Sequence, residues 1–291
     1  MARHENLYWW SPDGLRLHAR DYRGGADGRP AVLCLPGLTR NARDFEGLAE
    51  RLSPEWRVLA LDLRGRGESA YAKDPMTYVP LTYVQDVDAL LADQGIERFA
   101  VVGTSLGGIV TMLLAGAERG RLAGALLNDV GPEIDPRGLQ RIRGYVGRAS
   151  SWPTWMHAAR GVAEANADVY PDHRIDDWLA MAKRLYRLNS AGRVVLDYDL
   201  KIAEPFRLPG NEAGPDMWRT LEALREIPTL VVRGGRSDVL SKATAERMLR
   251  MLPRAELAVV PNVGHTPTLT EPELDRPIAR WLDRLRIPAA V

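Results

Sequence analysis

What most constrains the fold of this chain is a rhythm. The runs PAVLCLPG (30–37), WRVLALDLRG (56–65), RFAVVGTS (98–105) and LAGALLNDVG (122–131) are short, continuously apolar and without hydrophobic–polar alternation. Strands buried on both faces read this way, as they do in a parallel sheet. Between them lie the helical patterns ARDFEGLAERL, TYVQDVDALLADQG and LGGIVTMLLAGAERG. Strand and helix in turn mean βαβ units, a parallel sheet with helices on both sides. Ahead of this, ENLYWW and LRLHARDY flank the turn signal SPDG and read as a hairpin.

The rhythm fails from about residue 132 to 218, which holds Trp152, Trp155, Trp178 and Trp218, helix-like pieces such as DDWLAMAKRLYRL, and no strongly apolar strand. It resumes with IPTLVVRGG, KATAERMLRML, AELAVVPN and a last helix, ELDRPIARWLDRL. The pattern predicts an α/β core made of 1–131 and 219–291, with a mainly helical insertion over 132–218. A chain of 291 residues can bury a core of that size.

Charge narrows the partners. With 39 Lys and Arg against 38 Asp and Glu, nothing points to nucleic acid. One basic stretch, GLQRIRGYVGR (138–148), either attracts an anionic substrate or is a solvated face. Cys34 is the single cysteine and sits in an apolar run, so no internal disulfide forms, which fits a reducing compartment. The N-terminus lacks the apolar core of a secretion signal, and no stretch approaches the roughly 18 apolar residues of a membrane span. The expectation is a cytoplasmic protein without membrane attachment, acting on a small molecule, with a homodimer left open as its assembly.

The segment Gly103-Thr104-Ser105-Leu106-Gly107 matches G-x-S-x-G, after an apolar run and at the start of a helical pattern. A Walker loop would need a lysine after the last glycine, and a dinucleotide loop needs G-x-G-x-x-G; GTSLGG has neither. A structural turn or a mount for a nucleophile remains. A serine hydroxyl needs a base, and a histidine base needs a carboxylate to fix its tautomer. Of five histidines, His265 lies in PNVGHTPTLTEP, just after the final apolar strand. Asp238 lies in RGGRSDVLS, after the strand before it. Loops that follow parallel strands collect at one sheet edge, so Ser105, Asp238 and His265 should meet there, although Asp238 alone could equally cap the next helix. No H-E-x-x-H, cysteine cluster or ligand-spaced histidine pair occurs, so neither metal nor cofactor is expected.

Through LCLPGLTRNARDF, LALDLRGRGESA, VVGTSLGG, GGRSDVLS and PNVGHTPTLTEP, in this order, the chain resembles the α/β-hydrolases of the lid-bearing esterase, lactonase and C-C hydrolase type over nearly its whole length. The resemblance implies a mostly parallel sheet of eight strands with helices on both faces and a helical lid after the sixth. It implies Ser105 as nucleophile, His265 as base and Asp238 as the orienting acid. Some relatives carry the acid after strand six, where this chain has Asp129; the ready-made GGRSD makes Asp238 the expectation, with Asp129 closing a turn or anchoring the lid. The oxyanion hole implied is the backbone N–H of Leu106 and of Leu38, where Pro36-Gly37-Leu38 stands in place of the usual His-Gly-x.

Arg40 and Asn41 follow that loop, Asn41 as an N-cap and Arg40 as either a pocket wall or a loop pin. Trp152, Trp155, Met156 and Trp178 suggest an apolar, aromatic-lined pocket. The function expected is hydrolysis of a small to medium, largely apolar ester or lactone through an acyl-enzyme. C-C bond hydrolysis, acyl transfer and a non-catalytic ligand receptor are the alternatives.

Overall fold

In the computed structural model of the protein, residues 4–25, 28–117, 120–205 and 216–286 are described. The rest, including 206–215 of the expected insertion and 287–291 of the expected core, lie outside the described residues. In chain order the first half of the core comprises β1 (Glu5–Trp10), β2 (Arg16–Tyr22), β3 (Ala31–Leu35), α1 (Glu46–Leu52), β4 (Val58–Asp62), α2 (Pro80–Asp93), β5 (Phe99–Thr104), α3 (Leu106–Ala117) and β6 (Leu122–Asn128). An insertion follows with α4 (Pro136–Tyr145), β7 (Ser151–Trp152), α5 (Trp155–Asn166), α6 (Ile175–Leu185), β8 (Tyr186–Leu188) and β9 (Val194–Leu196). The core resumes with α7 (Met217–Leu221), β10 (Thr229–Gly234), α8 (Lys242–Met251), β11 (Ala255–Val260) and α9 (Asp275–Asp283).

The main sheet has eight strands in the order β1-β2-β4-β3-β5-β6-β10-β11. Only β2 against β1 and β4 is antiparallel; the other pairings are parallel. The continuous apolar runs now have a cause. Leu33, Leu59 and Val101 enter one core cluster while their neighbours Cys34, Ala60 and Val102 enter another on the opposite face. With both faces covered there is no exposed register for polar residues to occupy.

The insertion has its own apolar centre, built from Ala158, Ala159, Val162, Trp178, Met181 and Val194. It is less purely helical than expected, because β7, β9 and β8 form a three-stranded antiparallel sheet. The pattern DDWLAMAKRLYRL is helical only to Leu185; Tyr186–Leu188 turns into a strand that pairs with Val194–Leu196. Met217 and Trp218, at the end of the expected insertion, pack against the main core. Among the contacts that fasten the insertion over the carboxyl edge of the sheet, Gly264 N–H donates to Val169 O at 2.8 Å, and Arg43 Nη2 to Asp197 Oδ2 at 2.6 Å.

Candidate active site

Ser105 stands between the last residue of β5 and the first of α3, with φ at 51°. A serine rarely occupies this left-handed region, and here the surroundings hold it there. Its N–H donates to Asn128 O at 3.0 Å, while its carbonyl takes Gly108 N–H at 2.9 Å and Ile109 N–H at 3.2 Å. The glycines are steric necessities. A Cβ on Gly103 would press into Gly107 O and the Thr111 hydroxyl, and one on Gly107 into the carbonyl of Leu35. The turn therefore brings α3 against the end of β3 and leaves the Ser105 side chain at the sheet edge.

His265, in the loop after β11, reaches Ser105 Oγ with Nε2 at 3.0 Å. Its Nδ1 lies 2.7 Å from Asp129 Oδ2. An ionised carboxylate only accepts, so Nδ1 carries the proton and Nε2 offers its lone pair to the Ser105 hydroxyl. Asp129 is fully buried, and its φ of 57° turns it sharply out of β6. Oδ1 accepts Gly234 N–H at 2.9 Å, and Oδ2 also accepts the Ser237 hydroxyl at 2.7 Å.

The expectation for Asp238 is corrected here. Its two carboxylate oxygens take Arg141 Nε at 2.6 Å and Nη2 at 2.8 Å, a bidentate pair reaching across to α4. That hydrogen bonding holds the Asp238 carboxyl below its ordinary range. The carboxylate behind His265 is Asp129, and GGRSD serves it through the Gly234 N–H and the Ser237 hydroxyl. Asp238 is not the cap of α8 either: Ser241 is, accepting Thr244 N–H at 3.0 Å.

Leu106 follows Ser105 directly in the chain, and the Gly37–Leu38 loop lines the same cavity as Ser105. Gly37 approaches so closely that a Cβ there would lie 3.7 Å from Ser105 Cβ. Among the described residues neither the Leu38 nor the Leu106 N–H has an acceptor, while Leu38 O is held by Arg66 Nε at 2.8 Å. Asn41 caps the turn Ala42–Phe45, accepting Arg43 N–H at 3.1 Å, and its Nδ2 donates to Arg184 O at 2.8 Å. Thr104, to which the sequence assigns no role, accepts Asn128 Nδ2 at 3.1 Å; the same amide donates to Pro267 O at 2.9 Å. Asn128 thus ties the serine strand to the histidine loop. Its signal in the sequence is a polar residue closing the otherwise apolar run LAGALLN.

Ser105 and His265 open onto a cavity of about 590 Å³ roofed by the insertion. Arg40 and Trp152 line it. Trp155, Met156 and Trp178 do not: Trp178 is buried in the insertion's own core, Trp155 packs on it, and Met156 is 40% exposed. Nor is the wall as apolar as expected, since Arg40, Arg141, Arg148 and Arg184 all contribute. Arg40 is held by Asp44 through Nε–Oδ2 and through Nη2–Oδ1. Tyr170, also in the wall, donates to Thr266 O at 2.6 Å, and burial pushes its phenol up to about 12.

Residues 32–277 match the model of the alpha/beta hydrolase family. Along 269 residues the chain is 34% identical to 3-hydroxybutyrate-oligomer hydrolase of Cupriavidus necator, covering 90% of this chain and 91% of that one. It is 35% identical over 245 residues to lipase LipV of Mycobacterium tuberculosis, covering 80% and 86%. The crystal structure of an alpha/beta hydrolase from Novosphingobium aromaticivorans superimposes with a TM-score of 0.92 at 58% identity, over 98% of this chain and 99% of that one. Family model, relatives and fold agree, and the chain belongs to the alpha/beta hydrolase family.

Proposed function

We propose that the protein is a serine hydrolase of carboxylic esters in which Ser105 is the nucleophile, His265 the general base and Asp129 the acid that orients it. The observation that carries this reading is the unbroken line Ser105 Oγ, His265, Asp129, with contacts of 3.0 and 2.7 Å, facing a cavity. His265 Nε2 takes the hydroxyl proton as Ser105 attacks the ester carbonyl. The Leu38 and Leu106 N–H groups meet the oxyanion that forms. His265 then returns the proton to the leaving alcohol, and water, deprotonated by the same histidine, releases the acid from the acyl-enzyme. The insertion acts as the lid that shelters these steps.

The cavity suits a short to medium acyl chain. The relative from Cupriavidus necator is named for hydrolysing 3-hydroxybutyrate oligomers, and a short hydroxyacid oligoester is the substrate type that best joins ester chemistry to a wall carrying several arginines. A panel of p-nitrophenyl esters, lactones and a 3-hydroxybutyrate dimer, assayed with wild type and Ser105→Ala, tests the reading. Turnover lost in the variant supports it; turnover that survives the substitution overturns it.

A further inference from the structure

The loop that carries His265 is held from two sides. From the core, Arg236 N–H donates to Val263 O at 3.0 Å and Asn128 Nδ2 to Pro267 O at 2.9 Å. From the insertion come two more bonds, on the residues immediately before and after the base. Gly264 N–H donates to Val169 O at 2.8 Å, and Thr266 O accepts the Tyr170 hydroxyl at 2.6 Å. Two adjacent residues of the lid thus bracket His265.

The bracket is itself firmly mounted. Val169 and Tyr170 follow α5, and the N–H of each donates to Asn166 O, at 2.9 and 3.1 Å. The Tyr170 ring stacks on His173 with centroids 4.6 Å apart and meets the Trp178 ring edge-on at 6.1 Å, within the apolar centre of the insertion. Val263, two residues before the base, packs on the same centre. Burial keeps the Tyr170 phenol protonated through neutral pH, so it stays a donor. The fit is close, since a Cβ on Gly264 would lie 3.2 Å from both Cα and Cγ1 of Val169. Fastening a lid does not by itself require this place, because Arg43 and Asp197 also fasten it. Proton transfer does require Nε2 within hydrogen-bond reach of Ser105 Oγ, and a misplacement of about 1 Å costs about a hundredfold.

We propose that Tyr170 is a positioning residue for His265: through the Tyr170 hydroxyl and the Val169 carbonyl, the docked lid holds the backbone on both sides of the base, and so completes the triad as well as covering it. The inference rests on the reading of Ser105 and His265 as nucleophile and base.

The test compares the p-nitrophenyl and ethyl esters of the acyl group that the wild type turns over best. His265 must protonate a departing ethoxide, whereas p-nitrophenolate leaves unprotonated, so a misplaced base penalises the ethyl ester more. Tyr170→Phe removes the donor and keeps the ring. It should lower kcat on the ethyl ester by about fivefold to tenfold, the scale of one hydrogen bond, with KM within about twofold of wild type and a smaller loss of kcat/KM on the p-nitrophenyl ester. Gly264→Ala, which presses on the same bracket from the main chain, should show the same pattern. Asp197→Asn loosens the lid without touching the bracket and should change both esters alike. Thermal melting establishes that each variant is folded. The proposal is overturned by the absence of any loss in Tyr170→Phe and Gly264→Ala, by losses that fall in KM or treat both esters equally, or by the same pattern in Asp197→Asn.

A measurement without turnover separates this inference from the hydrolase reading. The far-downfield proton resonance of His265 Nδ1–H against Asp129, identified by its loss in His265→Ala, should broaden in Tyr170→Phe and stay as in the wild type in Asp197→Asn. A resonance unchanged by Tyr170→Phe, or missing from the wild type, overturns the positioning role. Turnover that persists in Ser105→Ala refutes the hydrolase reading instead, and the resonance still judges the bracket.

Discussion

Asp129→Asn keeps the shape of the side chain and removes one acceptor. The carboxylate serves three donors: His265 Nδ1–H and the Ser237 hydroxyl on Oδ2, and Gly234 N–H on Oδ1. A carboxamide has a single oxygen, so its NH2 must face either His265 or Gly234. The Gly234 donor is main chain at the end of β10 and cannot turn away, so the oxygen stays there and the NH2 faces the ring. His265 then carries its proton on Nε2, where it can no longer accept from Ser105. A wrong tautomer in a triad costs about 10⁴ in kcat, or about 5.4 kcal/mol of transition-state stabilisation at about 1.36 kcal/mol per decade. Asp238→Asn breaks a pair whose side chains are 39% and 30% exposed. Such pairs contribute about 0–1 kcal/mol, so the expected loss is at most about fivefold. The assay is kcat on p-nitrophenyl butyrate at neutral pH for both variants, with thermal melting to establish that each is folded. A larger loss in Asp238→Asn than in Asp129→Asn, or two losses within about fivefold of wild type, would refute the reasoning.

Ser105→Ala and His265→Ala should each lower kcat by at least about 10³, read in the same assay. Gly107→Ala places a methyl against the carbonyl of Leu35 and should destabilise the protein by about 3 kcal/mol, measured by urea denaturation. Cys34 is fully buried and burial pushes its thiol up, so a disulfide reagent should label it only after unfolding. Tyr170 titrates near 12 in the fold against an ordinary 10.0. Between those values the unfolded chain loses its proton first, so stability falls as pH rises, by about 1.4 kcal/mol from this group at about pH 11. Tyr170→Phe should lack this component, and equal pH dependence of the two proteins would show that the phenol is not shielded.

Most of the sheet was legible because burial on both faces leaves one pattern, the continuous apolar run, and the runs at 30–37, 98–105 and 122–131 each contain a strand. The serine turn was legible for a steric reason, since only glycine fits at 103 and 107. The acid was not, and the cause is geometric. Asp129 and Asp238 both leave parallel strands at the same edge, and chain order accepts either one. What separates them is the left-handed backbone at Asp129, which aims its carboxylate at His265, and the long-range capture of Asp238 by Arg141, 97 residues away in the chain. Neither leaves a local mark. The tryptophans fail for a related reason: spacing shows that Trp178 belongs to a buried face of α6, yet not whether that face meets the cavity or the insertion's own core. Pairing partners were equally invisible for the basic stretch, where Arg141 and Arg148 look alike in sequence. One is neutralised by an aspartate in the loop after β10, while the other lines the cavity with no carboxylate paired to it among the described residues, a difference that only the folded arrangement of the loops sets.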